Sequence, residues 1–238
     1  MRIKVIAISW NEEMIAPYFL RHYSSFADSI TIYDNNSTDN TCEILKDCEI
    51  IKFDTNNTFN DDEHRDIKNN AWKMYRGQYD WIILCDMDEF IYAKDIRKEL
   101  KETLNKATII RPNGYNMVAD KFPTTNGMIY DEIKSGALDT NYSKSIIIDP
   151  HKIEQTNYNW GSHLCMPKGD VKVFHTDSIK LLHYKWLGLD YVLKRHQTYK
   201  ERLSQFNLIK NLGEHYRYSK EKITNEYEQL KLNSNSII

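Results

Sequence analysis

Trp81-Ile82-Ile83-Leu84-Cys85-Asp86-Met87-Asp88-Glu89-Phe90 is the stretch whose reading decides the fold. An apolar run that begins after Asp80 and ends in three acids within four residues reads as a buried central strand whose carboxyl end opens into a carboxylate cluster. Open α/β sheets bind ligands at that edge. Two carboxylates one residue apart are costly there unless a cation or hydrogen-bond donors neutralise them, and oxygen ligands suit a hard divalent ion, Mn²⁺ or Mg²⁺. The Asp-x-Asp pair alone is a weak signal, because a solvated acidic turn after a core strand has the same pattern.

Upstream of this stretch the chain alternates strand and helix. Ile3 to Ser9 is a β-branched run, and Ile15, Tyr18, Phe19, His22 and Phe26 then recur at helical spacing, with Pro17 tolerable in the first turn. Ser29 to Tyr33 is a second strand. It ends in the polar loop Asp34 to Thr41, which can cap a short helix from Cys42 to Lys46. Glu49 to Phe53 is a third strand, and Ile67, Ala71, Met74 and Tyr75 mark a helix ending near Gly77. That order predicts a parallel sheet with right-handed crossovers.

Downstream, Ile96, Leu100 and Leu104 mark one more helix and Ala107 to Arg111 a strand. The region from Pro112 to Asn141 reads as a long irregular loop, ordered by its aromatic residues. Ser145 to Ile148, Val171 to Phe174 and Ile179 to Tyr184 read as short strands, Leu189 to Phe206 and Lys220 to Leu232 as helices, and Asn233 to Ile238 as a frayed tail.

With 238 residues, 41% of them hydrophobic and 12% aromatic, the chain is globular rather than disordered. Its 32 basic and 34 acidic residues give a net charge of -2, so no broad basic surface follows and nucleic acid is not the natural partner. Cys42, Cys48, Cys85 and Cys165 form no Cys-x-x-Cys pair, which points to a reducing compartment and no zinc site. The apolar stretch Ile3 to Ile8 is too short for a signal peptide and no run reaches membrane-spanning length, so a soluble, cytoplasmic protein is expected. Without an internal repeat or linker, residues 1–238 are counted as one domain.

Four features point to one site. Beside Asp86 and Asp88, the loop Asp34-Asn35-Asn36-Ser37-Thr38-Asp39 falls at the same edge, where its side chains either bind a base or ribose or serve plain turn chemistry. In Leu181-Leu182-His183-Tyr184-Lys185-Trp186, His183 could complete a metal shell and Lys185 could meet a phosphate, although a lone His at a strand end is commonly structural. Trp160-Gly161-Ser162-His163 supplies a second His and an aromatic of the kind that stacks on sugars.

Taken together, Asn11-Glu12-Glu13, Tyr33 to Asp39 and Trp81 to Phe90 resemble the family 2 type of glycosyltransferase with the GT-A fold. Gly114-Tyr115-Asn116-Met117, Tyr142-Ser143-Lys144, Gly161-Ser162-His163 and Leu182-His183-Tyr184-Lys185 are similar to a bacterial branch found in capsule and lipopolysaccharide gene clusters. The resemblance runs from about Arg2 to Tyr216. It implies a Rossmann-like α/β fold with a mixed central sheet flanked by helices, comprising a nucleotide-binding half (1–90), an acceptor and catalytic half (91–216) and a C-terminal helix and tail (217–238).

It further implies metal-dependent, inverting transfer from a nucleotide diphosphate sugar, UDP by preference, to a saccharide or lipid-linked acceptor, the latter bringing peripheral contact with the inner face of a membrane. Asn11, Asp34, Asn35, Lys68, Asp86 and Lys185 then fall on the nucleotide sugar, and Asp86, Asp88 and His183 on the metal. Asp131 and Glu132 sit where the family's acidic base motif lies, with His163, Asp120 and Asp139 as competitors. A haloacid dehalogenase-type phosphohydrolase, which also follows an apolar strand with Asp-x-Asp, and a non-catalytic nucleotide-sugar-binding module are the alternatives.

Overall fold

The computed structural model describes residues 1–238. The first half runs β1 (Ile3–Ser9), α1 (Ala16–Ser24), β2 (Ser29–Asp34), α2 (Thr41–Ile44), β3 (Glu49–Lys52), α3 (Asp61–Asn70), a 3₁₀ segment (Ala71–Tyr75) and β4 (Trp81–Asp86). β1 pairs in parallel with β2 and β4, and β2 with β3. Every residue of β1 is buried, because the sheet is covered on both faces and successive side chains point to opposite ones. Ile3, Val5 and Ala7 share a core with Phe19, Tyr23, Trp81 and Ile83. Ile6 packs instead with Trp72, Tyr75, Ile82 and Leu84. Lys4, in this otherwise apolar run, carries its ammonium to Glu49 at 3.1 Å and over the Tyr75 ring at 4.0 Å, so its charge is buried but compensated.

The second half runs β5 (Glu89–Tyr92), α4 (Ile96–Thr103), β6 (Ile109–Ala119), α5 (Ile129–Glu132), β7 (Ser135–Leu138), β8 (Ile147–Ile148), β9 (Ile153–Gln155), β10 (Lys168–Gly169), β11 (Val173–Leu187), α6 (Leu189–Arg202), α7 (Gln205–Ile209), α8 (Lys220–Leu232) and β12 (Asn235–Ser236). The sheet continues from β4 through antiparallel β8 to β6, β7 and β12, in the order 12-7-6-8-4-1-2-3. β11 joins it, parallel to β6 and antiparallel to β5. The result is the mixed central sheet flanked by helices expected of the GT-A type. No helix is long and apolar enough to cross a membrane.

Four expectations change. The region from Pro112 to Asn141 is not one irregular loop, since β6 runs through Pro112 to Ala119 and α5 and β7 follow. Pro112 is tolerated because its ladder with β11 shifts register just there, after Thr176. Gly114 is needed in the same strand, as a Cβ would lie 2.2 Å from the Tyr142 carbonyl carbon. The segments 171–174 and 179–184 belong to one strand, β11, bent at that shift. The helix expected over Leu189 to Phe206 breaks at Leu203, where Ser204 caps α7 by accepting from the Asn207 N–H. The tail is not frayed: β12 pairs with β7, and the Ile237 N–H donates to the Lys134 carbonyl at 2.8 Å.

Candidate active site

Parallel pairing brings three polar strand ends into line. Ile8 of β1 lies opposite Asp86 of β4, and Ser9 opposite Asp34 of β2. Asp86 closes β4, Met87 and Asp88 make the turn, and Glu89 opens β5. The turn is held from inside: the Asp86 N–H donates to Glu89 Oε2 at 3.0 Å, and the Tyr184 N–H to the Asp88 carbonyl at 2.8 Å. Above it lies a cleft of about 310 Å³ lined by all three acids and by residues from β1, α3, β11, α6 and the segment 212–216.

Each acid of the turn has a cation within reach. Lys68 on α3 meets Asp86 Oδ1 at 2.7 Å, and buried Lys144 meets Glu89 Oε1 at 2.5 Å and Asp86 Oδ2 at 3.8 Å. Arg195 on α6 grips Glu12 with both nitrogens, at 2.7 and 2.8 Å, and reaches Asp88 Oδ2 at 3.4 Å. Burial alone would raise the Asp86 carboxyl, but Lys68 and then Lys144 outweigh it and bring it down to about 2. Burial is likewise outweighed at Asp88, first by His183 and then by Arg195, leaving it well below the usual carboxylate range.

His183 is oriented by a relay. Asp139 can only accept, so it takes the Asn116 Nδ2–H at 2.8 Å and turns Asn116 Oδ1 toward His183 Nδ1, also at 2.8 Å. That fixes the proton on Nδ1. Tyr142 stacks on the ring at 4.1 Å between centroids. Nε2 then faces Asp88 Oδ2 at 3.6 Å, beyond a hydrogen bond, an arrangement that suits two ligands of one cation. No three His, Cys, Asp or Glu side chains converge closely enough to hold an ion by themselves. Asp88 and His183 do fit a divalent ion whose other ligands are substrate phosphates and water. Asp86, expected as a third metal ligand, is turned onto Lys68 instead.

The remaining expected residues separate into two groups. Asn35, Lys68, Lys185 and His163 line the cleft; Asn11, Asp34, Asp131 and Glu132 do not. Asp34 is buried and spent on the Ser37 N–H, the Ser37 hydroxyl and Lys52, while Asn11 Oδ1 accepts from the Thr38 N–H at 2.7 Å. Both serve the turn chemistry that competed with ligand binding. Asn35 reaches the cleft, but its amide already pairs with Thr55 and the Thr58 carbonyl. Asp131 caps α5 through the Met128 N–H at 2.8 Å, and Glu132 takes the Thr124 and Thr125 N–H groups at 3.0 and 2.9 Å. These carboxylates hold a loop and are misplaced for a base. Asp120 is exposed and paired with Lys231.

His163 meets the geometric demand on a base better. Its Nδ1–H donates to the Asn141 carbonyl at 2.8 Å, leaving Nε2 as a free acceptor, and burial followed by the Lys144 charge lowers its pKa and keeps the ring neutral. Asp61, at the start of α3, is the one carboxylate in the cleft with no cation beside it. Burial pushes it up to about 6, against the hydrogen bond from Asn207 at 2.8 Å.

A family model described as glycosyltransferase family 92 matches residues 18–227. The chain belongs to glycosyltransferase family 92. The match removes the phosphohydrolase alternative and supports a glycosyltransferase, without confirming the family 2 type or its capsule and lipopolysaccharide branch. No curated protein matches this family 92 chain significantly. Among solved structures it is similar to Staphylococcus aureus TarS, at 11% identity and TM-score 0.49 over 95% of this chain and 43% of that one, and to TarS residues 1–349, at 11% and 0.45 over 85% and 65%. It is also similar to Mycobacterium tuberculosis glucosyl-3-phosphoglycerate synthase, in complex with Mn²⁺, UDP and glucosyl-3-phosphoglycerate, at 12% and 0.33 over 48% and 44%. The chain spans less than two thirds of each of these structures. Identities this low with TM-scores below 0.5 bear on neither substrate nor mechanism.

Sequence reasoning passed over Lys144, Arg195, Asp61, His196 and His215 as site residues of this family 92 chain. Three clustered acids do signal that countercharge must exist, but the cations lie 55 and 107 residues away with no local pattern to mark them. Arg195 lies in the segment that the sequence marks only as a helix. Its ion pair with Glu12 is buried across the cleft.

Proposed function

We propose that this chain transfers a sugar from a nucleotide diphosphate sugar, with UDP preferred on resemblance alone, to a saccharide or lipid-linked saccharide in surface polysaccharide synthesis, inverting the anomeric carbon. The observation that carries this reading is the facing pair of Asp88 and His183 Nε2 at 3.6 Å, set at the tip of a core strand in a cleft of a glycosyltransferase-family chain. Asp88 and His183 would hold Mn²⁺ or Mg²⁺, which neutralises the charge that develops on a departing nucleoside diphosphate. Lys68 orients Asp86 beside them, and Asn35 and Trp10 border the nucleotide end of the cleft. His163 Nε2 takes the proton of the acceptor hydroxyl as it attacks, the Asn141 carbonyl holding the ring in the required tautomer. A lipid-linked acceptor would bring peripheral membrane contact, which liposome flotation measures.

The test is a thermal-shift series with UDP, GDP and CMP, each with Mn²⁺ and with EDTA. UDP with Mn²⁺ is expected to raise the melting temperature and EDTA to abolish the rise. Asp88→Asn should lose the metal-dependent shift and roughly 10²–10³-fold in transfer rate while keeping the wild-type circular dichroism. Transfer undiminished in that variant would remove the reading.

A further inference from the structure

The basic side chains of the cleft are not equivalent. Lys68, Lys144 and Arg195 are paired with the acids described above, and Arg65 with Asp62 and Asp66 at 2.9 and 2.8 Å. Arg202 donates to the carbonyls of Asn57 and Thr58 and lies on the Trp10 ring. Lys185 has no acid within 4.0 Å and no hydrogen-bond partner, and its ammonium stands 5.1 and 5.9 Å from the ring centroids of Trp186 and Tyr216.

Two imidazoles accompany it. His196, on α6, is 2% exposed and lines the cleft, and neither ring nitrogen makes a hydrogen bond of ordinary geometry, the His215 backbone being near enough only to offset burial in part. His215 lies 5.9 Å from it between ring centroids, on the turn Glu214–Arg217, and also makes no side-chain hydrogen bond. After burial, the Lys185 charge is the next influence that keeps both rings neutral, which places the three groups in one electrostatic neighbourhood.

A buried polar atom without a partner costs about 1–3 kcal/mol, and an unpaired cation in a cleft also gives up hydration, so such a group is retained where a ligand completes it. One ammonium and two imidazoles with N–H groups to donate suit an oxyanion. They come from β11, α6 and the turn at 214–217, and they line the same cleft as His163, the proposed base. We propose that Lys185, His196 and His215 form an acceptor subsite for a saccharide carrying a phosphate or carboxylate. Lys185, expected from the sequence to meet a donor phosphate, thus serves the second substrate. The inference rests on the donor reading above for its naming of that substrate as the acceptor.

The experiment uses the full chain and titrates inorganic phosphate and glucuronate by thermal shift, each with and without UDP and Mn²⁺. Both anions should raise the wild-type melting temperature in either condition. Lys185→Met should abolish that rise while changing UDP affinity less than twofold, and His196→Phe should weaken anion binding severalfold. The wild-type phosphate-over-glucuronate ratio of shifts says which oxyanion the subsite prefers. An anion-induced rise that survives Lys185→Met overturns the proposal. So does a tenfold or larger loss of UDP affinity in Lys185→Met, which would return the lysine to the donor diphosphate. Failure of UDP to bind the wild type counts against the donor reading, and the arm without UDP still decides whether the oxyanion site exists.

Discussion

The two walls of the cleft treat charge differently. Around the acidic turn, Asp86, Glu89 and Glu12 each have a cation at 2.5–2.8 Å, and Asp88 has Arg195 and His183 within 3.6 Å. Farther along the same β11 and α6 that supply His183 and Arg195, and on the turn at 214–217, lies a second wall, where Lys185 has no acid within 4.0 Å and neither nitrogen of His196 makes a hydrogen bond of ordinary geometry. The first wall is complete in the folded chain, so its charges serve to hold a geometry. The second is incomplete, and an incomplete buried group is better explained by a ligand than by folding. If that is right, substitutions on the two walls should have opposite signatures.

The largest effect is expected at Lys144. It is 2% exposed, and removing its ammonium by Lys144→Met strands the buried Glu89 carboxylate and loosens Asp86 with it. Breaking one partner of such a pair costs about 3–5 kcal/mol. Urea unfolding should report a loss of that order. The same measurement on Lys185→Met should show no loss. Equal destabilisation by the two variants would end the distinction between the walls.

The same distinction marks what sequence can and cannot deliver. The run Trp81 to Asp86 announces a strand buried on both faces, because apolar continuity is a local property that the fold uses directly, and the acids after it announce a site. Pro112 and Gly114 look like loop residues. They stand inside β6 because the first sits at a register shift and the second leaves room for the Tyr142 backbone, neither of which is local. Asp131 and Glu132 illustrate a related limit: an acid that accepts from loop N–H groups, as both do here, and an acid that takes a proton look alike in sequence. Asp34 and Asn11 likewise spend their oxygens on loop N–H groups. His183 stands out in the sequence by its place at a strand end and by the family resemblance. Its role depends on the Asp139–Asn116 relay, which the sequence does not display.

A second effect, of intermediate size, separates the walls by pH. Burial first and foremost holds His64 and His196 down to about 4, and His22 and His215 to about 3. An unfolded imidazole titrates near 6.5, so below that the unfolded chain binds protons the native chain refuses. Stability is therefore full above about pH 6.5 and should fall as pH drops from there toward 4. Asp86 acts in the same sense in a lower window: with its carboxyl down at about 2, its contribution is present above the ordinary value near 4 and is lost only as pH falls from there to 2. Unfolding at pH 7, 5.5 and 4.5 should thus report the histidines without Asp86, set against Asp61, whose carboxyl, raised by burial to about 6, gains stability as pH falls through the same window. His196→Phe should flatten that slope by up to about 1.4 kcal/mol per pH unit across the window. An unchanged slope would mean that His196 is not held neutral in the native chain.

The smallest effect on stability, and the most specific on activity, is expected at Gly161. Its φ of 70° lies in the left-handed region, and a Cβ there would stand 2.8 Å from His163 Cδ2 and 2.9 Å from Nε2. Gly161→Ala should cost about 1–2 kcal/mol in backbone strain. It should also push the imidazole off its hydrogen bond to the Asn141 carbonyl, which alone holds the proton on Nδ1. Because the ring touches neither Asp88 nor Lys68, UDP affinity should stay within twofold of wild type while kcat falls about tenfold or more, in the range a displaced general base commands. The pH profile of kcat should lose its acidic limb at the same time. A lowered melting temperature with kcat and its pH profile intact would show Gly161 to be structural only, and would shift the search for the base to Asp61, whose carboxyl burial has already raised to about 6.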